Sequence, residues 1–337
     1  MLRAKSSQLS FYGNHIYDRV IPEDHFLKLL DKAVDLSFVN ELCRDAYTPD
    51  FGRPAYGPEM MFKIVFLQFL YDVSDRRIEE EVNFNLVLKW FVGLAVDESP
   101  PDSSSLTRFR DRLGEERFAK TFNQIVEIAR EKGLVSDRLS IVDSTDVKAK
   151  VDTFKVKDNP DVSPDKDARY GYKSEKKPFF GYKAHASLDS DSELITKLDT
   201  TPGNASDGKE FPKVVDTQSE MTTADKAYDS NKNHHLLKRK RITSAIIVKK
   251  NRKSPRLRKH QVKPEIIAAQ RERPKIERKF AELKRFHGLN EARYWGLAKM
   301  AIQFTMTAIA CNLKRIVKLL FYRRCGDRCS MGKLARG

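Results

Sequence analysis

Apolar residues recur at three- and four-residue steps through the first third of the chain. Phe26, Leu29, Leu30 and Ala33, following Pro22, mark one face of a helix. The stretch PEMMFKIVFLQFLYDV from Pro58 is apolar nearly all round, which predicts a helix in the middle of a bundle. Ser74 stands where it would cap DRRIEEEVN, and a further helix is expected through LVLKWFVGL. SPPDSSSLTRFRDRLG predicts a turn, serine caps and a helix that stops at Gly114. Phe122, Ile125 and Val126 then place an amphipathic helix over 118–129.

Near residue 138 the period changes. LSIVDSTDVKA, FFGYKAHASLD and ELITKLDTTPG read as three strands, followed by a helix at DGKEFPKVV, a strand at MTTADKAY, a helix at NKNHHLLKRK and a strand at SAIIVKK. Strands followed by alternating helix and strand imply an α/β fold with a mixed sheet flanked by helices. The polar, turn-rich KVKDNPDVSPDKDARYGYKSEKK between the first two strands is expected to be a mobile insertion. The run MAIQFTMTAIACNL falls short of the roughly 20 apolar residues that span a bilayer and predicts a buried helix instead. Trp90 and Trp295, with apolar neighbours, are expected in the core.

Length and charge sharpen this outline. At 337 residues, and roughly 150 per domain, the chain is expected to form about two domains. The expected division is an all-helical N-terminal domain over 1–135, a sheet domain over 136–322 with a basic insertion at about 249–263, and a disordered tail over 323–337. A net charge of +16 makes nucleic acid the first partner to consider and an anionic membrane the second. The start MLRAKSSQLSFYG has no apolar signal core, so a cytoplasmic, nucleoid-associated protein is expected. Cys325 and Cys329 lack a second Cys/His pair at zinc-site spacing, and the four cysteines are expected to be reduced thiols.

Against this basic background three acids stand out by position. Asp143 ends the first strand, Asp225 ends MTTADKAY, and Glu277 lies early in the helix PKIERKFAELKRF. Strand ends of α/β sheets open onto crevices, and a helix across that edge would bring its carboxylate to the same point. Three carboxylates so gathered call for a divalent cation, and all-oxygen ligation suits Mg²⁺, with Mn²⁺ substituting. Metal chemistry of that kind serves phosphodiester displacement. Glu277 and Lys284, seven apart, lie within about 20° of each other around the helix. Arg273 would join that face if the helix extended past Pro274. Asp146 competes as a ligand, although strand alternation turns it to the opposite face from Asp143.

These pieces resemble the catalytic domain of bacterial insertion-sequence DDE transposases, of the insertion-sequence-five type within the insertion-sequence-four-like superfamily. The resemblance rests on VDST with Asp143, GYKAH, TPGNASD, ADKAYDS with Asp225, and RPKIERKFAELK with Arg273, Glu277 and Lys284, in that order and spacing. The stretches RPAYGPEMMFKIVFLQFLYDVSDRRIEEEV and PPDSSSLTRFRDRL are similar to the helical N-terminal domain of the same proteins. It implies an RNase H-like fold and a metal-binding catalytic triad of Asp143, Asp225 and Glu277, supported by Arg273 and Lys284. The implied activity is Mg²⁺-dependent cleavage at the terminal inverted repeats of an element and joining of the freed 3′-hydroxyls to target DNA, by a homodimer or larger synaptic complex. Two positions depart from the family pattern: Gln270 stands where a tyrosine is usual, and Ala227 where a glycine is usual.

The same comparison makes the arginines at 76 and 77 and at 108, 110 and 112 candidates for a helix-turn-helix-like reader of double-stranded DNA, the second helix being serine-capped. Lys249, Lys250, Arg252, Lys253, Arg256 and Arg258 are expected to hold phosphates without reading bases. His185, on a strand, is expected to be a hydrogen-bonded core residue and not a catalyst.

Overall fold

The computed structural model describes residues 11–47, 55–158, 162–174 and 177–322. The expected tail, with Cys325 and Cys329, lies outside the described residues. The first third is helical: α1 (Phe11–Val20), α2 (Phe26–Ala33), α3 (Phe38–Leu42), α4 (Pro58–Tyr71), α5 (Asp75–Phe84), α6 (Leu86–Val92) and α7 (Ser103–Glu131). α4 starts on a proline, whose missing N–H costs nothing at a helix start, and is buried continuously from Met61 to Phe69. The Ser74 hydroxyl caps α5 as expected, accepting from the Arg77 amide at 3.2 Å. α7 differs from its expected serine cap: the Asp102 carboxylate accepts from the Ser105 amide at 3.1 Å. Its predicted stop at Gly114 is a break inside one longer element, where φ 63° favours glycine and the chain re-enters a helix at once.

The sheet begins with β1 (Leu139–Lys148), followed by the short helix α8 (Thr153–Asp158), β2 (Arg169–Ser174), β3 (Lys177–Asp189) and β4 (Ile195–Pro202). Then come α9 (Asp207–Val214), β5 (Met221–Ala224), α10 (Asn231–Arg239) and β6 (Thr243–Ser244). β4, β3 and β1 pair antiparallel, and β5 and β6 continue beside β1 in parallel. The order β4-β3-β1-β5-β6, three antiparallel strands and then two parallel ones reached through helices, is the RNase H-like arrangement. β6 is shorter than SAIIVKK, yet Ala245 and Ile247 still donate to Thr222 and Ala224, so the chain stays alongside β5.

Part of the expected mobile insertion is ordered: α8 runs into its start, β2 forms within it, and β2 pairs with the start of β3. β2 and β4 meet end to end along one edge of β3. A Cβ on Gly203 would lie 2.4 Å from the Arg169 carbonyl oxygen, and one on Gly181 2.1 Å from that of Val147. The glycines of GYKAH and TPGNASD are therefore needed for backbone approach.

Four α-helices follow, α11 (Pro255–Gln261), α12 (Pro264–Arg271), α13 (Pro274–Phe286) and α14 (Leu297–Val317), and a π-helical turn Lys318–Tyr322 ends the described residues. α14 is the buried helix predicted from MAIQFTMTAIACNL, and it packs on α2, α4, α7 and β4. One apolar cluster therefore runs from Leu27 in the helical layer through Ile141 and Val147 of the sheet to Ile316. Val142, Phe211, Val214, Tyr228 and Leu237 form a second cluster under α9 and α10. Successive residues of β1 thus face different layers, with Ile141 on the side of α13 and Val142 on the side of α9. Arg130, near the end of α7, binds Asp137 and the buried Asp216 at 3.0 and 2.6 Å, tying the helical layer to the start of the sheet. Among the described residues no helix is long and apolar enough to cross a membrane.

Candidate active site

The edge of the sheet where β5 ends leaves β1 without a partner on that side beyond Val142. Asp143 is the next residue, and its Oδ1 accepts from the Ser144 amide at 2.9 Å. Burial pushes its carboxyl up to about 6; Asp225 and Glu277 push the same way, while the Ser144 amide and Arg273 oppose them. Asp225 follows β5 directly and caps the 3-10 turn Lys226–Tyr228, accepting from the Lys226 amide at 2.6 Å. Glu277 lies in the first turn of α13, whose Ile276, Phe280 and Leu283 are buried in the main core and fasten the helix beside β1.

All three acids meet one cation. Arg273, the cap residue of α13, places its guanidinium 3.6 Å from Asp143 Oδ2, 3.8 Å from Asp225 Oδ1 and 4.0 Å from Glu277 Oε1. Three residues distant in sequence are thereby gathered around a single group. Among the described residues no three His, Cys, Asp or Glu side chains are close enough to hold a metal ion as they stand. In donor type and charge the set nevertheless fits a hard divalent cation, since three carboxylates surround the guanidinium.

Lys284 is elsewhere. Its Nζ binds Asp146 Oδ1 at 3.1 Å, at the far end of α13 from Arg273. Beyond Val142 that edge of β1 has no β5 partner, and there the long lysine side chain from α13 meets Asp146. Two other residues of the site escaped the sequence reading. Tyr228 is buried beside Ser144 and Asp143, and burial followed by the charge of Asp143 raises its phenol well above the usual range. Asp229, also buried, accepts from the Lys249 amide, from Arg252 and from His234 Nε2, each at 2.9 Å, and so anchors the basic segment next to the site. His185 is a buried core residue with Nε2 2.9 Å from the Thr201 hydroxyl.

Both departures from the expected motif have a local explanation. Gln270 turns inward, donating to the Ala245 carbonyl at 3.2 Å and to Gln261 at 2.8 Å, so it braces α12 against the strand edge. The backbone at Ala227 does not take a positive φ, and a glycine is not required there.

The candidate DNA-contacting residues divide by environment. Arg76, Arg108 and Arg112 are exposed, with Arg112 stacked 4.7 Å over the Tyr47 ring. Arg77 is exposed but paired with Glu80 and Glu81 at 2.9 and 2.5 Å. Arg110 is corrected: it is buried, bonds Asp75 and Gln68, and lies 5.1 Å from the Tyr294 ring, so it fastens α7 to α5. Lys249, Lys250, Lys253 and Arg258 are exposed, Arg252 is held by Asp229, and the Arg256 side chain lies outside the described residues. Trp295 also differs from expectation. It is 55% exposed and donates to the Lys150 carbonyl at 3.3 Å, whereas Trp90 packs partly buried against the core.

Residues 135–313 match the family described as Transposase DDE domain, and residues 15–112 match the one described as Transposase domain (DUF772). Among solved structures, the chain is similar to a piggyBac transposase synaptic complex with hairpin DNA, determined by cryo-EM. The alignment has 12% identity and a TM-score of 0.43, covering 92% of this chain and 78% of that one.

Proposed function

The chain belongs to the DDE transposase family, and from that premise we propose that it binds the terminal inverted repeats of an insertion element of the insertion-sequence-five type, cleaves them and joins the 3′-hydroxyl ends to target DNA. The observation that carries this reading is the gathering of Asp143, Asp225 and Glu277 around one guanidinium at the open edge of the sheet.

In this proposal the three carboxylates hold Mg²⁺, with Mn²⁺ able to replace it. When bound, the metal supplies Lewis-acid stabilisation of the charge that develops on the phosphodiester oxygens. The residues of the chain supply position. Ile276, Phe280 and Leu283 fix the helix that carries Glu277, and the Ser144 amide orients the carboxylate of Asp143. Tyr228 fills the space behind Asp143 with a phenol that stays protonated. Arg273 and Lys284 are assigned to scissile-strand phosphates. The exposed Arg76, Arg108 and Arg112, with Lys249, Lys250, Lys253 and Arg258, offer positive charge to duplex DNA. Pairing of two ends calls for a homodimer or larger synaptic complex.

The test supplies purified protein with Mg²⁺, DNA from the borders of its own element and a supercoiled target plasmid, comparing the wild type with Asp143→Asn. Cleavage followed by joining in the wild type, reduced by at least about a thousandfold in the variant, is expected. Cutting without any joined product would instead mark a nuclease. Equal inactivity of both proteins would mark a DNA-binding chain without catalysis.

A further inference from the structure

The position of Arg273 has a consequence beyond gripping DNA. We infer that Arg273 is a resident cation that keeps the three carboxylates from loading metal until a DNA phosphate draws it away. This inference rests on the reading of Asp143, Asp225 and Glu277 as the metal-binding set.

The geometry argues for a placeholder and not for a permanent strut. Contacts of 3.6, 3.8 and 4.0 Å exceed the roughly 2.7–2.9 Å of a charge-assisted hydrogen bond, so charge alone holds the guanidinium among the acids. Its Nε is buried without a hydrogen-bond partner. The ion pair at the other end of the same helix, Lys284 with Asp146 at 3.1 Å, is by contrast at bonding distance. A divalent ion such as Mg²⁺ draws carboxylate oxygens to about 2.0–2.1 Å, a space in which a planar five-donor guanidinium has no room. Metal and arginine therefore exclude each other from the centre of the triad.

Removal of Arg273 leaves three acids with no shared cation, which favours metal entry. A phosphate offers the guanidinium the bidentate partner it lacks in the free protein. DNA binding and metal binding then assist each other, and by linkage each raises the affinity of the other by the same factor. The protein alone would hold metal weakly and load it once a strand lies across the site.

The experiment measures Mn²⁺ binding by the full chain, from the electron paramagnetic resonance signal of the free ion, without any turnover. Without DNA, Arg273→Gln is expected to bind Mn²⁺ about tenfold more tightly than the wild type, Arg273→Lys to stay closer to the wild type, and Asp143→Asn to bind more weakly. Element-border duplex, with the DNA-only signal subtracted, is expected to tighten Mn²⁺ binding to the wild type about tenfold and to leave Arg273→Gln unchanged. An Arg273→Gln protein that binds Mn²⁺ no better than wild type, while Asp143→Asn still weakens it, overturns the placeholder role and leaves the metal set standing. Unchanged Mn²⁺ binding in Asp143→Asn removes the metal set itself, and the inference with it. The DNA-dependent arm needs only the wild type, so a lack of tightening there overturns the inference even if Arg273→Gln does not fold.

Discussion

The two ends of α13 are built differently although they belong to one helix. At its start, Arg273 faces Asp143, Asp225 and Glu277 at 3.6 to 4.0 Å, and the Glu277 side chain is 62% exposed. Towards its end, Lys279 binds Glu282 at 2.9 Å and lies 3.5 Å from the sulfur of the buried Cys311, while Lys284 binds Asp146 at 3.1 Å. Just past the helix, buried His287 donates from Nδ1 to the Phe69 carbonyl at 3.1 Å and accepts at Nε2 from Lys314 at 3.3 Å. The charges around Arg273 are loose and open to rearrangement, although Lys275 beside it is held by Glu272 and the Ser190 carbonyl; those at the second end are short and covered. The difference teaches that one helix serves as an anchor at one end and as a changeable site at the other.

Mutations rank accordingly in stability. The largest loss is expected from Lys279→Ala, which leaves the Glu282 carboxylate half-buried without its nearest cation; about 4 kcal/mol should disappear in chemical denaturation. If that loss is under about 1 kcal/mol, the far end is not an anchor.

Next is pH. Burial, helped by Lys314, lowers the His287 imidazole to about 4, against an ordinary 6.5. The folded state therefore resists a proton that the unfolded chain accepts. The resulting stabilisation, about 3 kcal/mol, is complete above pH 6.5 and is lost as pH falls from there towards 4. His287→Asn, which keeps a donor for the Phe69 carbonyl and does not titrate, should flatten this window in denaturation curves measured across it. An unchanged slope would show that other groups dominate there.

Smaller again is Asp146→Asn, which weakens a partly exposed pair and should cost about 1 kcal/mol, read as a shift in the denaturation midpoint. The smallest change belongs to Glu277→Gln: stability within about 0.5 kcal/mol of the wild type, with Mg²⁺-dependent cleavage abolished. A large destabilisation by Glu277→Gln would make the first end structural as well and erase the contrast.

The fold was legible where periodicity was long and uniform. α4, α14 and the strands β1, β3, β4 and β5 follow directly from apolar spacing, whereas β2 falls in the stretch expected to be mobile. Asp225 follows β5 as expected, but Asp143 does not end its strand: β1 continues to Lys148, and what ends at Val142 is its pairing with β5. Angular arithmetic was less sufficient for Glu277 and Lys284. Seven residues return to the same face, but they also advance about 10 Å along the axis, and that rise carries Lys284 to Asp146. Arg110 carried a readable signal that went unused: with Leu106, Phe109 and Leu113 it completes a stripe at three- and four-residue steps, all of it buried. Arg108 and Arg112 lie off that stripe and are exposed. Tyr228, Asp229 and the exposure of Trp295 were not legible in this way, because each depends on a partner remote in sequence: Asp143, Arg252 and Lys150 respectively.

The packing of α14 against α2, α4 and α7 has an outcome for biosynthesis. Those first helices emerge from the ribosome with their apolar faces uncovered, and the helix that completes their core is translated only about 240 residues after α4 begins. At roughly 5–20 residues per second, that gap is on the order of ten to fifty seconds. The nascent chain must be shielded from aggregation for that interval, and truncation before Leu297 removes the last piece of the shared interior, not merely an appendage.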